Sequence, residues 1–166
     1  MKGIDSFVGY SGETTAELLA YPARGQYDSL VWAFEEGLQR KVSRSRNRAL
    51  SQEERTILAV RALDREVNNG GYQQFFCNSS KQFVPDIVQS LSRIGCLRTA
   101  KITQRAINAL RATPLTVTQI DLAMRSTNEQ RDRELERCDE WFYRTPQGIS
   151  RHLYAFIKSK NRRIKL

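Results

Sequence analysis

Glu66-Val67-Asn68-Asn69-Gly70-Gly71-Tyr72-Gln73-Gln74-Phe75-Phe76, followed by Asn78-Ser79-Ser80, is the densest run of side-chain amides, glycines and aromatics in the chain. Upstream of it, Ile57, Leu58, Leu63 and Val67 recur near one helical face. Ser51, with Glu54 three residues on, fits a capping box at the start of that helix. Asn68, Asn69, Gly70 and Gly71 are the residue types best able to take left-handed backbone angles, so the helix is expected to stop there. Tyr72, Phe75 and Phe76 return at helical spacing, which predicts a short second helix packed back on the first. Asn78, Ser79 and Ser80 read as its exit.

The amides admit two readings. In one, Asn68, Asn69, Gln73, Gln74 and Asn78 satisfy the backbone of two tight turns beneath an aromatic core, since buried polar groups need hydrogen-bond partners whatever the function. In the other, these amides with Gly70, Gly71 and Tyr72 line a pocket or a contact surface. The second reading makes Asn68–Gln74 and Asn78 the candidate binding site.

The same residues carry a resemblance. The run from Glu66 to Phe76, then Asn78-Ser79-Ser80 and Ile94-Gly95, resembles the signature of a bacterial domain family of unknown function, the DNA-mimic-protein-like family. The resemblance extends from about Tyr27 to Lys160 and closes on Leu135, Asp139, Phe142, Tyr143 and Leu153 to Lys158. It implies an all-helical domain. For the family's best-known member, an acidic protein that binds a transcription factor, it implies protein binding. Mimicry itself does not transfer: it needs carboxylates spaced like phosphates, and this chain carries a formal charge of +9.

At 166 residues the chain is long enough for a substantial core, and 40% hydrophobic and 27% charged residues suit a globular fold. No run of about 18 apolar residues offers a membrane span, and the N-terminus lacks signal-peptide character. Cys77, Cys96 and Cys138 are odd in number and lack metal spacing, which points to a reduced, cytoplasmic chain using thiols as small apolar groups.

Outward from the centre, Glu13 to Tyr21 reads as a short helix stopped by Pro22 and Gly25. Leu30, Val31, Phe34, Leu38 and Val42 mark a longer one from Tyr27. Pro85 suits the first turn of a helix bearing Ile87, Val88, Leu91 and Ile94, with Gly95 as its cap. Ala100–Ala112 reads as the next helix, Thr118 as the cap of another through Met124, and Ser126 to Tyr143 as a charged one. Thr145-Pro146 reads as a cap and first-turn proline leading into Ile149, Leu153, Phe156 and Ile157. The expected fold is therefore all-α, a compact single-domain bundle of about seven or eight helices. Residues 1–25 form an arm and short helix, 26–160 the helical domain and 161–166 a basic tail.

Positive charge is clustered. Arg44, Arg46 and Arg48 lie in a connector, Arg98, Lys101 and Arg105 (with Arg111) on one helix, and Lys158, Lys160, Arg162 and Arg163 near the end. These residues form the candidate basic patch. Residues 141–166 hold seven basic groups and no acidic ones, against three and six in residues 1–40. Catalytic signatures are missing from the pattern. His152 stands alone on an amphipathic helix, Cys77 has no base in its motif and reads as a buried structural thiol, and no phosphate loop, dinucleotide fingerprint or metal-binding motif occurs. No cofactor is expected.

The resulting expectation is a non-catalytic macromolecule-binding module. Its partner would be another protein, engaged through exposed aromatics such as Trp32, Trp141 or Tyr143. Weak, sequence-tolerant nucleic-acid binding through the basic residues is the alternative. A small-ligand binder or enzyme centred on the Asn/Gln-rich turn is the third reading.

Overall fold

The computed structural model describes residues 9–44, 49–144 and 146–166. Among them are eight α-helices and no strand: α1 Thr15–Ala20, α2 Tyr27–Arg44, α3 Gln52–Cys77, α4 Val84–Arg93, α5 Leu97–Ala109, α6 Val117–Arg125, α7 Glu129–Arg144 and α8 Ile149–Lys160. Two 3-10 turns, Ser79–Phe83 and Asn161–Arg163, complete the order. The all-α expectation holds. No helix among the described residues is long and apolar enough to cross a membrane. The chain parts into two compact units, Met1–Leu58 with Ser150–Leu166, and Ala59–Ile149.

Helix boundaries follow the local chemistry. Thr14 and Glu17 form a reciprocal capping box for α1, the Thr14 N–H donating to Glu17 Oε2 at 2.7 Å. Ser51 and Glu54 do the same for α3: the Ser51 N–H donates to Glu54 Oε2 at 2.9 Å and the Glu54 N–H to Ser51 Oγ at 3.1 Å. Pro85 lies in the first turn of α4. Gly95, at φ +86°, ends that helix in a Schellman motif, with Gly95 N–H on Ser92 O and Cys96 N–H on Leu91 O.

Three expectations shift. Thr116, not Thr118, caps α6, its hydroxyl accepting from the Gln119 N–H. Helix α5 begins at Leu97 and ends at Ala109, short of Ala112. Helix α8 begins at Ile149 rather than beside Pro146, and Thr145 lies outside the described residues. The reason is Gln147, whose Oε1 accepts from the Thr99 N–H at 2.8 Å and the Thr99 hydroxyl at 3.0 Å. Gln147 is spent on capping α5.

In the first unit, Leu18, Leu30, Val31, Phe34, Leu38, Ile57, Leu153, Ile157 and Ile164 are fully buried. Val42 departs from the predicted stripe and is exposed. Glu54 is the electrostatic hub. Its Oε1 accepts from Lys41 Nζ at 2.6 Å and from the Lys165 N–H at 2.8 Å, while Lys41 also reaches Lys165 O. Ser51 Oγ donates to Arg163 O, and Thr15 Oγ1 to Ile164 O. The 161–166 segment is thereby strapped down through its backbone.

In the second unit, α3 continues as Ala59, Val60, Leu63 and Val67, all fully buried, and α4 adds Ile87 and Leu91. The aromatic centre joins Tyr72, Phe75 and Phe76 to Phe142 of α7, whose ring meets Tyr72 edge-on at 6.2 Å. Cys96 and Cys138 are buried and Cys77 is exposed, against its expected burial. Burial pushes both interior thiols up to about 11, so neither is a nucleophile at neutral pH.

Because Glu54 is 2% exposed and serves Lys41, Ser51 and Lys165 together, Glu54→Ala is expected to cost about 2–4 kcal/mol of stability. Urea unfolding followed by far-ultraviolet circular dichroism measures this.

Candidate functional site

The central motif is built around a buried acid. Glu66, 7% exposed, accepts at Oε2 from Gln74 Nε2 and Asn78 Nδ2 and at Oε1 from Ser80 Oγ, each at 2.8 Å. Burial, the largest single influence on this carboxyl, pushes it up. The three donors and the nearby Arg65 charge outweigh that, so it titrates below the ordinary glutamate range. Gln74 reaches Glu66 by lying across Gly70, where a Cβ would come within 3.0 Å of Gln74 Cδ. Gln74 and Asn78 therefore serve an acid inside the motif.

The break at Gly70 and Gly71 has a second guest. Gly71 adopts φ +72° and ψ −175°, a conformation essentially restricted to glycine. A Cβ there would lie 2.7 Å from Asp139 Cγ. Asp139, from α7, uses the vacant space to accept the Tyr72 N–H at 2.7 Å, capping the second segment of α3 from a distance. Burial raises the Asp139 carboxyl, partly offset by that N–H. Tyr72 is fully buried, its hydroxyl 2.8 Å from Thr103 Oγ1. The helix does not end at Asn68 and Asn69, which stay helical; the axis breaks at the glycines.

Of the remaining motif residues, Asn68 donates to Asp64 O and Asp64 Oδ1 on the preceding turn, and Asn68, Asn69, Gly70 and Gln73 face solvent. Tyr143, 48% exposed, donates its hydroxyl to Val67 O beside them.

The candidate basic residues separate. Arg98, Lys101 and Arg105 are exposed on α5 of the second unit. Arg44, Lys158, Lys160, Arg162 and Arg163 are exposed in the first, and Arg46 and Arg48 lie outside the described residues. Arg163 is partly occupied by Glu53, at 3.5 Å. The α5 group is the best organised. Residues 98, 101 and 105 follow the three- and four-residue spacing of one helical face, and α5 contains no acid. The Arg105 guanidinium lies over the Trp141 ring, 4.5 Å from its centroid, while its Nε donates to Glu134. Arg137 approaches the other oxygen of Glu134 at 3.6 Å. Trp141 remains 36% exposed, so the cluster presents a ring held in place by its cation.

Sequence reading missed Glu66, Asp139 and Glu134 as organisers. Their partners lie 8 to 14, 67 and 29 residues away, beyond any local pattern. Among the described residues, no three or more His, Cys, Asp or Glu are placed to hold a metal ion.

A family model described as DMP19-like protein matches residues 48–160, starting later than the Tyr27 the motif resemblance suggested. The chain belongs to that family. No curated protein and no solved structure matches it.

Two outcomes follow from the motif geometry. Gln73→Ala is expected to leave stability within about 0.5 kcal/mol, whereas Gly71→Ala, strained and pressed on Asp139, is expected to cost about 2–4 kcal/mol; thermal unfolding of the pair reads the contrast. Glu66 is more acidic folded than unfolded, so its charge stabilises the fold above the unfolded value and loses that contribution as pH falls through the native one. The deficit of Glu66→Gln should therefore be full at neutral pH and shrink below about pH 4. Urea titrations across pH check the sign, and a deficit unchanged in acid would refute it.

Proposed function

We propose that this member of the DMP19-like family is a non-catalytic, cytoplasmic macromolecule-binding module whose α5–α7 face engages an acidic surface of a partner protein. The family is named for a DNA mimic, and a mimic acts by binding protein. At a formal charge of +9 this chain lacks the carboxylate array of mimicry, so protein binding is retained in the reading and mimicry is not. Three free thiols support the cytoplasmic placement.

The observation that carries the reading is Arg105 laid on the exposed Trp141 ring and fixed by Glu134. Arginine and tryptophan are the residue types that dominate binding energy at protein interfaces, and a cation already stacked loses little rotamer freedom on docking. Arg98 and Lys101 extend the face with charge that speeds encounter with an acidic partner.

A nucleic-acid partner is favoured less by the charge pattern along α7. Exposed Glu129, Glu136 and Glu140 alternate there with Arg133, Arg137 and Arg144, and two i, i+4 pairs, Arg133–Glu129 and Arg144–Glu140, are formed. A polyanion meets these carboxylates as well as the arginines, whereas a protein surface of mixed sign fits both.

Affinity capture from native lysate tests the proposal, using the chain beside an Arg98→Glu, Lys101→Glu, Arg105→Glu variant. A specific partner that the folded variant binds about a hundredfold more weakly supports the assignment. A partner captured equally by both places the interface elsewhere. Fluorescence anisotropy of labelled single- and double-stranded nucleic acid across a salt series is the parallel arm. Steeply salt-dependent binding lost in the same variant would put nucleic acid in the partner's place.

A further inference from the structure

Beyond α5, Arg111 takes a left-handed conformation at φ +52°, and across from it Asn128 precedes α7. Between them opens a cleft of about 300 Å³ lined by Arg105, Asn108, Arg111, Asn128, Gln130 and Arg131, together with Glu134. The volume is at the small end of those that hold metabolites.

The hydrogen bonds around the cleft fix the polarity it presents. An amide's oxygen and nitrogen ends are distinguished by their partners, and here two partners are unambiguous. Asn128 Oδ1 accepts the Arg131 N–H at 3.0 Å, and Gln130 Oε1 accepts Arg111 Nη2 at 3.2 Å. Neither donor can accept a hydrogen bond, so each oxygen is the end engaged and both NH2 groups are the ends left over. Arg105 is bound to Glu134 through Nε, leaving its two terminal nitrogens outside that bond, and Arg111 retains Nη1. Arg131 is 5% exposed and spends its guanidinium on Ala123 O, Ser126 O and Asp132, so it acts as a wall carrying charge.

The surplus is thus one of donors and positive charge. It calls for a compact anion with several acceptor oxygens. Glu134 adds the opposite element, a carboxylate whose two oxygens face Arg105 and Arg137 and keep lone pairs to accept from a hydroxyl on the same ligand. We infer that the cleft binds a small phosphate monoester bearing hydroxyl groups, of the sugar-phosphate class. The phosphate would take the guanidinium and amide donors, and a hydroxyl would donate to Glu134. The cleft shares Arg105 and Glu134 with the proposed partner face, but its own tests, at Arg111 and Gln130, lie outside that face.

Isothermal titration calorimetry of the full chain with ribose 5-phosphate, inorganic phosphate and ribose tests it. The ester is expected to bind, inorganic phosphate about tenfold more weakly, and ribose not at all. Arg111→Asn, which keeps a residue tolerant of positive φ, and Gln130→Glu, which exchanges a donor for a charge, should each weaken the ester about tenfold or more. Arg151→Gln, the same charge change at an exposed α8 residue outside the cleft, should leave binding unchanged. No heat with the ester overturns the inference. So does an equal loss in Arg151→Gln, which would mean diffuse attraction to a basic surface. A short oligonucleotide that outcompetes the ester and depends on the same two residues would overturn the monoester assignment in favour of backbone phosphate.

Discussion

A carboxylate taken out of water must be met by donors, and in the second unit Glu66 imposes that requirement on the chain around it. Gln74, Asn78 and Ser80 are held where they are because each supplies one hydrogen bond to it. Gln74 can reach only because Gly70 has no side chain, and Phe75 and Phe76 are carried into the core by the segment whose amides Glu66 fixes. The unusual composition of the motif follows from one buried charge and the backbone break needed to surround it.

What could be read in advance was whatever the chain settles locally. The Ser51–Glu54 box, Pro85 at the start of α4 and Gly95 at its end involve groups within a few residues of one another, and the structure places them as expected. The glycine break was legible for the same reason. Its purpose was not, since Asp139 enters from another helix and the vacancy at Gly71 gives no sign in the sequence of what fills it. Thr145-Pro146 misled because Gln147 is recruited by Thr99, 48 residues away. The segment reads as a basic tail because Lys and Arg dominate it, yet one apolar residue, Ile164, and four backbone groups bind it in place. At the α5–α7 face the cationic spacing was visible, while the stacking of Arg105 on Trp141 required the two helices to be brought together.

This chain carries a formal charge of +9 in a family named for a DNA mimic, and its fold is all-helical as the resemblance implied. Core and motif residues are answerable to burial and hydrogen bonding, and the exposed faces of α5 and α7 to neither. The sign of the charge there has little bearing on the interior, since exposed ion pairs such as Arg133–Glu129 contribute at most about 1 kcal/mol. One helical framework can therefore carry surfaces of opposite charge.

The single hydrogen bond from the Tyr72 N–H to Asp139 also ties the stability of two separate segments together. It spans 67 residues, and it closes the N-terminal end of a helical segment that reaches only to Cys77. So short a segment is marginal by itself, and its cap arrives only when α7 docks. The Phe75–Phe76 segment and α7 then depend on one another, and joining them carries the entropy of closing a 67-residue loop. The exchange of one backbone proton, on Tyr72, thereby reports how firmly α7 is held against the motif.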